Sequence, residues 1–316
     1  MPMALEGHTH RPLVAIVGPT AVGKSDLALR LAQQLTAEIV NADSRQVYRY
    51  MDIGTGKPTA SERALAPHHV FDIVDPDEDF SLGRYRLLAA DAISAIAARG
   101  HIPLLVGGTG QYVWSIVEGW NVPEVPPDSA FRREMEERGR SEGHEALHGE
   151  LARIDPDAAT RIQPTNIRRV VRALELYRAT GELPSSILWS KKGLGRGTLV
   201  LGLGMERPRL FARADARVDR MVLLGFVAEA RALMDRGYEP SLPSMSSIGY
   251  REMCAHVRGE YDLATAVERT KLETHRLIRR QHTWFRPSDE RIEWLEESES
   301  GSAFQAAMRR IEGAMR

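Results

Sequence analysis

The chain has 316 residues, of which 43% are apolar, 27% charged and 6% aromatic, with 42 basic residues against 43 acidic ones. That length suits one large domain or two modest ones. The composition excludes collagen-like, disordered and disulfide-stapled classes, since Cys254 is the single cysteine. No apolar run approaches the ~20 residues of a membrane span and the opening ten residues lack an apolar leader, so a cytoplasmic protein with no membrane association is expected.

In chain order, Leu13 to Val17 reads as a short buried strand. A glycine-rich turn and a helix over Asp26 to Leu35 follow. Further strands are expected at Glu38 to Ala42, Val70 to Val74, Ile102 to Val106, Thr198 to Leu203 and Arg291 to Leu295, with helices such as Gly83 to Arg99 between them. Short apolar strands alternating with helices predict an α/β fold with a mainly parallel sheet covered on both faces. The alternation stops after Gly119, where Asn121 to Asp128 contains Pro123, Pro126 and Pro127, and the chain to about Tyr177 reads as helical and charged. Strand pattern returns after the loop Lys191 to Gly197. The expected organisation is a P-loop α/β core beginning at 12–122, a helical insertion at 123–197, and a return to the core with C-terminal helices at 198–316.

The net charge of −1 hides two basic windows. Arg161 to Arg178 holds Arg161, Arg168, Arg169, Arg172 and Arg178 against Glu175. Arg269 to Arg286 holds Arg269, Lys271, Arg276, Arg279, Arg280 and Arg286 against Glu273. Seven- and four-residue spacings put Arg161, Arg168 and Arg172 on one helical face, opposite Val170, Val171, Leu174 and Tyr177. One such stripe suits a solvated amphipathic helix equally well; two of them point to a polyanion surface. Trp284 and Phe285 suit either stacking on unpaired bases or a place in the core.

Gly18-Pro19-Thr20-Ala21-Val22-Gly23-Lys24-Ser25 satisfies G-x-x-x-x-G-K-[ST] between a strand and a helix. Its glycines let backbone N–H groups turn inward around phosphate oxygens, and the helix N-terminus adds partial positive charge. Lys24 neutralises phosphate, and the Ser25 hydroxyl can ligate Mg²⁺. The strand Ile102 to Val106 ends in Gly107-Gly108-Thr109-Gly110 rather than in the carboxylate of an ATP-hydrolysing P-loop protein. The nearest carboxylate in the pattern is Asp43, which is either functional or an N-cap. In a doubly wound sheet Asp43, Ser25 and Thr109 converge at the carboxyl edge.

These segments, with Asn41 to Tyr48, Asp52 to Thr59, Pro67 to His69, Gly107 to Tyr112, Arg168 to Glu175, Ile248 to Arg251 and Arg280 to Arg286, stand in an ordered set that resembles the tRNA dimethylallyltransferases from about Leu13 to Arg286. The resemblance implies transfer of a dimethylallyl group from dimethylallyl diphosphate to N6 of the adenosine 3′ of the anticodon, in tRNAs reading codons that begin with U. It implies Asp43 as general base, Thr109 at the target base or donor site, and Arg217 as a further diphosphate cation, with Arg213 its rival. The cradle Gly18 to Ser25 becomes the diphosphate site, with Mg²⁺ as the cofactor. The tRNA side is implied to include Asp43, Ser44, Arg45, Gln46 and Thr109, then Arg132, Arg168, Arg169, Val170, Val171 and Arg172. It continues with Ser246, Gly249, Tyr250, Arg251, Arg279, Arg280, Gln281 and Arg286.

The sequence departs from the family pattern at Ser25, where threonine is commoner, at Gly110-Gln111 and at Met245-Ser246-Ser247. A single cysteine excludes an added zinc finger and favours the bacterial type. Rival readings are an adenylate isopentenyltransferase acting on free AMP, an ATP-dependent small-molecule kinase and a non-catalytic RNA-binding protein. The basic windows count against the first two, and an intact cradle with Asp43 counts against the third. A monomer is expected.

Overall fold

Leu13–Val17 forms β1, five consecutive buried apolar residues, as a strand covered on both faces requires. The computed structural model describes residues 11–123, 125–188, 197–296 and 302–315; the opening decapeptide and nearly all of the loop 191–197 lie outside the described residues. β1 is followed by α1 (Lys24–Gln34), β2 (Ala37–Asn41), α2 (Ala60–Leu65), β3 (His68–His69), α3 (Leu82–Ala98), β4 (Ile102–Val106) and α4 (Gly110–Val117). The helices α5 (Ser129–Ser141), α6 (His144–Ile154), α7 (Pro156–Arg161), α8 (Ile167–Thr180) and α9 (Pro184–Leu188) come next. The chain closes with β5 (Thr198–Gly204), α10 (Arg207–Leu223), α11 (Phe226–Asp235), α12 (Tyr250–Val257), α13 (Leu263–Trp284), β6 (Ile292–Glu296) and α14 (Ser302–Ala314).

The strands form one parallel sheet in the order β3-β2-β4-β1-β5-β6. The described residues divide into a core unit, drawn from Met1–Ser81, Tyr85–Val117 and Gly195–Arg316, and a helical unit, drawn from Leu82–Arg84 and Glu118–Leu194. In the core unit, Val14, Ile16, Leu104 and Leu201 of the sheet pack against Leu27 and Leu31 of α1 and Ala307 and Ile311 of α14. A second cluster joins Val47, Met51 and Val74 to Phe226, Tyr250 and Met253. The helical unit buries Phe131, Leu147, Leu151, Val170, Val171 and Leu174 around its own centre.

Two expectations are corrected. The strand expected at Val70 to Val74 is only His68–His69, because Val70 and Asp72 take φ of 64° and 54°, which a strand cannot accommodate. Only Val74 re-enters pairing, in a bridge with Tyr48. The helical face shared by Arg161, Arg168 and Arg172 does not exist as one face. α7 ends at Arg161, Pro164 interrupts, and α8 begins after an Asn166 cap.

At the amino ends of β2 and β4, buried Glu38 accepts hydrogen bonds from His69 Nε2 (2.6 Å), His101 Nδ1 (2.7 Å) and Arg99. Burial would push its carboxyl up, but these three donors hold it below the usual range. The histidine pair His68-His69 is thereby structural, with His68 Nδ1 2.7 Å from the Ala66 carbonyl.

Candidate active site at the phosphate cradle

The cradle turns from β1 into α1 through Gly18 at φ +141°, Ala21 at 64° and Gly23 at +108°. A Cβ on Gly18 would sit 2.6 Å from the Leu203 carbonyl oxygen of β5, so only glycine fits. Lys24 Nζ donates to the Pro19 carbonyl at 2.7 Å across the turn. Ala21, Gly23, Lys24, Ser25 and Asp26 line a cleft of about 460 Å³ whose other wall is α10, with Arg213, Ala216, Arg217 and Arg220. The 213, 217, 220 spacing puts three arginines on one helical face toward the cradle.

Arg213 lies over the turn, its Nη2 3.3 Å from where a Cβ on Gly23 would be. Arg217 runs against Gly56, where a Cβ would stand 1.9 Å from its Nη2, and donates to the Thr55 carbonyl at 3.5 Å. Both rivals for the diphosphate cation therefore line the same cleft. Lys24 is lowered from 10.5 to about 8, mainly by burial, with Asp43 opposing and Arg217 adding to the drop. Burial also lowers Arg217, opposed by Asp43 and reinforced by Arg213.

Asp43 stands just beyond β2, and its backbone is fixed by Asn41. The Asn41 Oδ1 accepts from the Asp43 N–H at 2.8 Å, and its amide donates to the Asp43 carbonyl at 3.0 Å. The carboxylate accepts from the Arg45 N–H at 2.9 Å, an Asx turn rather than a helix cap. Thr109 closes the site from the end of β4: its Oγ1 accepts from the Ser44 N–H at 3.0 Å and donates to Ser44 Oγ at 3.3 Å. The structure thus brings Asp43, Thr109, Lys24 and Arg217 to one edge of the sheet. Tyr112, stacked on Tyr85 with ring centroids 3.6 Å apart, is held protonated by burial and by Tyr48 and Asp43 nearby. No sequence signal singled out Tyr112 or Tyr48 as walls of the Asp43 corner, beyond their place in ordered motifs.

Residues 46–288 match a family model described as IPP transferase, and residues 12–66 one described as isopentenyl transferase. The chain belongs to the IPP transferase family. A tRNA dimethylallyltransferase of Chloroflexus aggregans is 52% identical over 274 residues, 87% of this chain and 92% of that protein. The full-length tRNA isopentenylpyrophosphate transferase of Bacillus halodurans is 40% identical with a TM-score of 0.71, over 96% of this chain and 97% of that one. A eukaryotic dimethylallyltransferase acting on tRNA is 30% identical with a TM-score of 0.79, over 95% of this chain and 77% of that one.

The residues expected on the tRNA side fall into two groups. Arg168, Arg169, Ser246, Arg251, Arg279, Arg280 and Arg286 are exposed. Others are buried or held by partners within the protein. Val170 and Val171 are in the helical unit's core, and Tyr250 is fully buried with its OH on Glu229 at 2.6 Å. Gly249, at φ +88°, is pressed under the Phe226 ring. Arg132 grips Glu175 with two hydrogen bonds of 2.9 and 2.8 Å, while Arg172 donates to Glu175 and to the Val125 carbonyl. Arg45 Nη1 donates to the Pro243 carbonyl, and the Gln46 amide to the carbonyls of Thr55 and Gly56.

Gln281 is 7% exposed and joins two loops of the site. Its Oε1 accepts from the Thr20 N–H at 2.8 Å, and its Nε2 donates to the Gly108 carbonyl at 3.1 Å. Phe285 is buried beside Trp114, and Trp284 covers Gly110, so both rings serve the core rather than an open stacking surface. Among the described residues no helix is long and apolar enough to cross a membrane.

Proposed function

We propose that this chain transfers the dimethylallyl group of dimethylallyl diphosphate to N6 of the adenosine immediately 3′ of the anticodon, in tRNAs reading codons that begin with U. The products are N6-(dimethylallyl)adenosine and diphosphate. The observation that carries the reading is the juxtaposition of a carboxylate, Asp43, with a cleft whose cations, Lys24, Arg213 and Arg217, suit a departing diphosphate.

The exocyclic amine is a weak nucleophile because its lone pair is delocalised into the purine. Asp43 takes a proton from N6 as the nitrogen bonds to C1 of the allyl group. The C1–O bond breaks and its electron pair leaves with diphosphate. That charge grows against Lys24, the cradle N–H groups, Arg213 and Arg217, which are already in place before the reaction. Thr109 holds the Ser44 end of the Asp43 turn and so keeps the carboxylate aimed.

A metal fits the donor set. Exposed Ser25 lines the cleft beside Lys24, its hydroxyl oxygen available as a hard ligand. Mg²⁺ suits such a site because it keeps its waters and takes phosphate oxygens, with Ser25 as its protein ligand. When bound it supplies further positive charge against the leaving group.

On the tRNA side, Arg168 and Arg169 from the helical unit, and Arg251, Arg279, Arg280 and Arg286 from the core unit, meet backbone phosphates. A base stacked in an anticodon loop has to be extruded to reach Asp43. We place the reaction in the cytoplasm and the enzyme as a monomer.

The deciding assay incubates the protein with Mg²⁺, radiolabelled dimethylallyl diphosphate and either unmodified tRNA or AMP. Label is expected in tRNA; label in AMP alone overturns the reading.

A further inference from the structure

We propose that Glu229 is a positioning residue of this transfer, acting through the loop Asp52 to Lys57 to hold Arg217 and Gln46 in place. The inference rests on the function proposed above. Glu229 lies on α11, outside every segment that carried the chemistry. Its Oε2 accepts from the N–H groups of Asp52 (3.0 Å) and Ile53 (2.8 Å), and its Oε1 from the Gly54 N–H (3.1 Å) and the Tyr250 hydroxyl (2.6 Å). Three successive backbone donors around one carboxylate make an anion nest, filled here by the protein's own side chain. Charge-assisted bonds of this kind are the stronger class.

The loop cannot slide under that grip. A Cβ on Gly54 would fall 2.2 Å from Phe226 Cε2 and 2.5 Å from Tyr250 Cε2, so the backbone is packed directly against both rings. Lys57, with its ammonium buried, donates to the Tyr48 carbonyl and to the carboxylates of Asp52 and Asp72. The Thr55 hydroxyl donates back to the Met51 carbonyl at 2.6 Å.

The far side of the same loop faces the reaction. The Thr55 carbonyl accepts from both Gln46 Nε2 (3.1 Å) and Arg217 Nη2 (3.5 Å), and the Gly56 carbonyl accepts from Gln46 Nε2 (3.1 Å). Gly56 leaves the space that the Arg217 guanidinium fills. One backbone segment therefore sets the orientation of the diphosphate cation and of an amide three residues from Asp43. Releasing its anchor would misplace both together. Arg217 gives most when charge has developed on the leaving group, so its misplacement falls on turnover more than on ground-state binding.

The test is a double-mutant cycle of Glu229→Gln and Arg217→Lys, read as kcat and KM for prenyl transfer to tRNA. Glu229→Gln keeps the size of the side chain but turns an NH₂ toward N–H donors. It should lower kcat between about 10- and 100-fold, with the donor KM held within about threefold, the scale of a misplaced charge-stabilising group. In the Arg217→Lys background the same change should cost far less, because both act on one element. Amide hydrogen exchange should quicken at residues 52–54 and stay unchanged in β1 and β4. If Glu229→Gln does not fold, Glu229→Asp, which keeps the charge on a shorter arm, carries the same cycle. Additive effects, or an unchanged kcat despite faster loop exchange, overturn the proposal. A wild-type protein that labels no tRNA removes the proposed function instead, so the two failures are distinct.

Discussion

Lys24 gives the cleft a pH signature. Its drop from 10.5 to about 8 corresponds to roughly 3 kcal/mol of disfavour for the ammonium, at 1.36 kcal/mol per pH unit. A bound diphosphate places negative charge against Nζ and restores the charged form. At pH 8.5 about three quarters of the empty protein carries neutral Lys24, so binding inorganic diphosphate should take up about 0.7 proton, falling to about 0.1 at pH 7. Calorimetry in buffers of different ionisation enthalpy measures this number. Diphosphate contributes protons of its own, so the reference is Lys24→Arg, whose guanidinium does not titrate in this range. Wild type minus Lys24→Arg isolates the lysine. An equal uptake in the two proteins refutes the depressed value and with it the reasoning from burial. Asp43 opposes the drop, so Asp43→Asn should increase the uptake measured at pH 7.5. The same shift bears on stability. The folded pKa lies below the unfolded one, the folded state holds fewer protons between them, and the ligand-free protein should gain stability as pH rises from about 8 toward 10.5.

Asp43→Ala should cut turnover by roughly 10²-fold or more while tRNA affinity stays within a few-fold, by single-turnover kinetics and filter binding. Gln281→Leu should weaken inorganic diphosphate binding, since the Thr20 N–H and the Gly108 carbonyl lose their tie, and should leave tRNA affinity at fixed salt within a few-fold; a larger loss of tRNA affinity with diphosphate binding intact would make Gln281 a tRNA contact. Arg168→Ala and Arg169→Ala should each reduce the salt slope of tRNA binding by about one. Arg172→Ala should instead act on stability, because Glu175 is 2% exposed and depends on Arg132 and Arg172. Burial would push the Glu175 carboxyl up, but those arginines and the Asp128 N–H hold it below the usual range. Its contribution is therefore present above the unfolded value and lost as pH falls through the folded one, so Glu175→Gln should flatten the acid limb of a stability curve.

The cradle was legible because its requirement is local: glycine at left-handed turns, then Lys-Ser opening a helix. Asp43 and Thr109 were legible because strand ends of a parallel sheet share an edge. The strand at Val70 to Val74 misled because its apolar residues fill the core from a kinked backbone, and periodicity carries no information about φ. The basic windows were read as surface by counting charge, yet Arg172 of the first window closes, with Arg132 from outside it, on Glu175, an acid that the same count merely subtracted. Gln281 stood in an ordered motif as an expected tRNA contact, but the structure buries it between the Thr20 N–H and the Gly108 carbonyl. Glu229 had no signal: it holds a loop far away in sequence, and an isolated Glu on an amphipathic helix looks like solvent-facing filler until the fold brings its partner within reach.

The seam between β1 and β5 has a consequence for how the protein is made. Leu13 pairs with Thr198, and Gly18 packs its backbone on the Leu203 carbonyl, so the phosphate-binding turn is shaped by a strand that leaves the ribosome after the whole helical unit. Until then one side of β1 is an unpaired apolar edge, the kind of surface that recruits other chains. A helical unit that gathers its own buried cluster can fold while the nascent core waits. Slowing synthesis between residues 118 and 194 should thus lengthen the exposure of that edge, and aggregation of the nascent chain, rather than loss of activity, is where it would register.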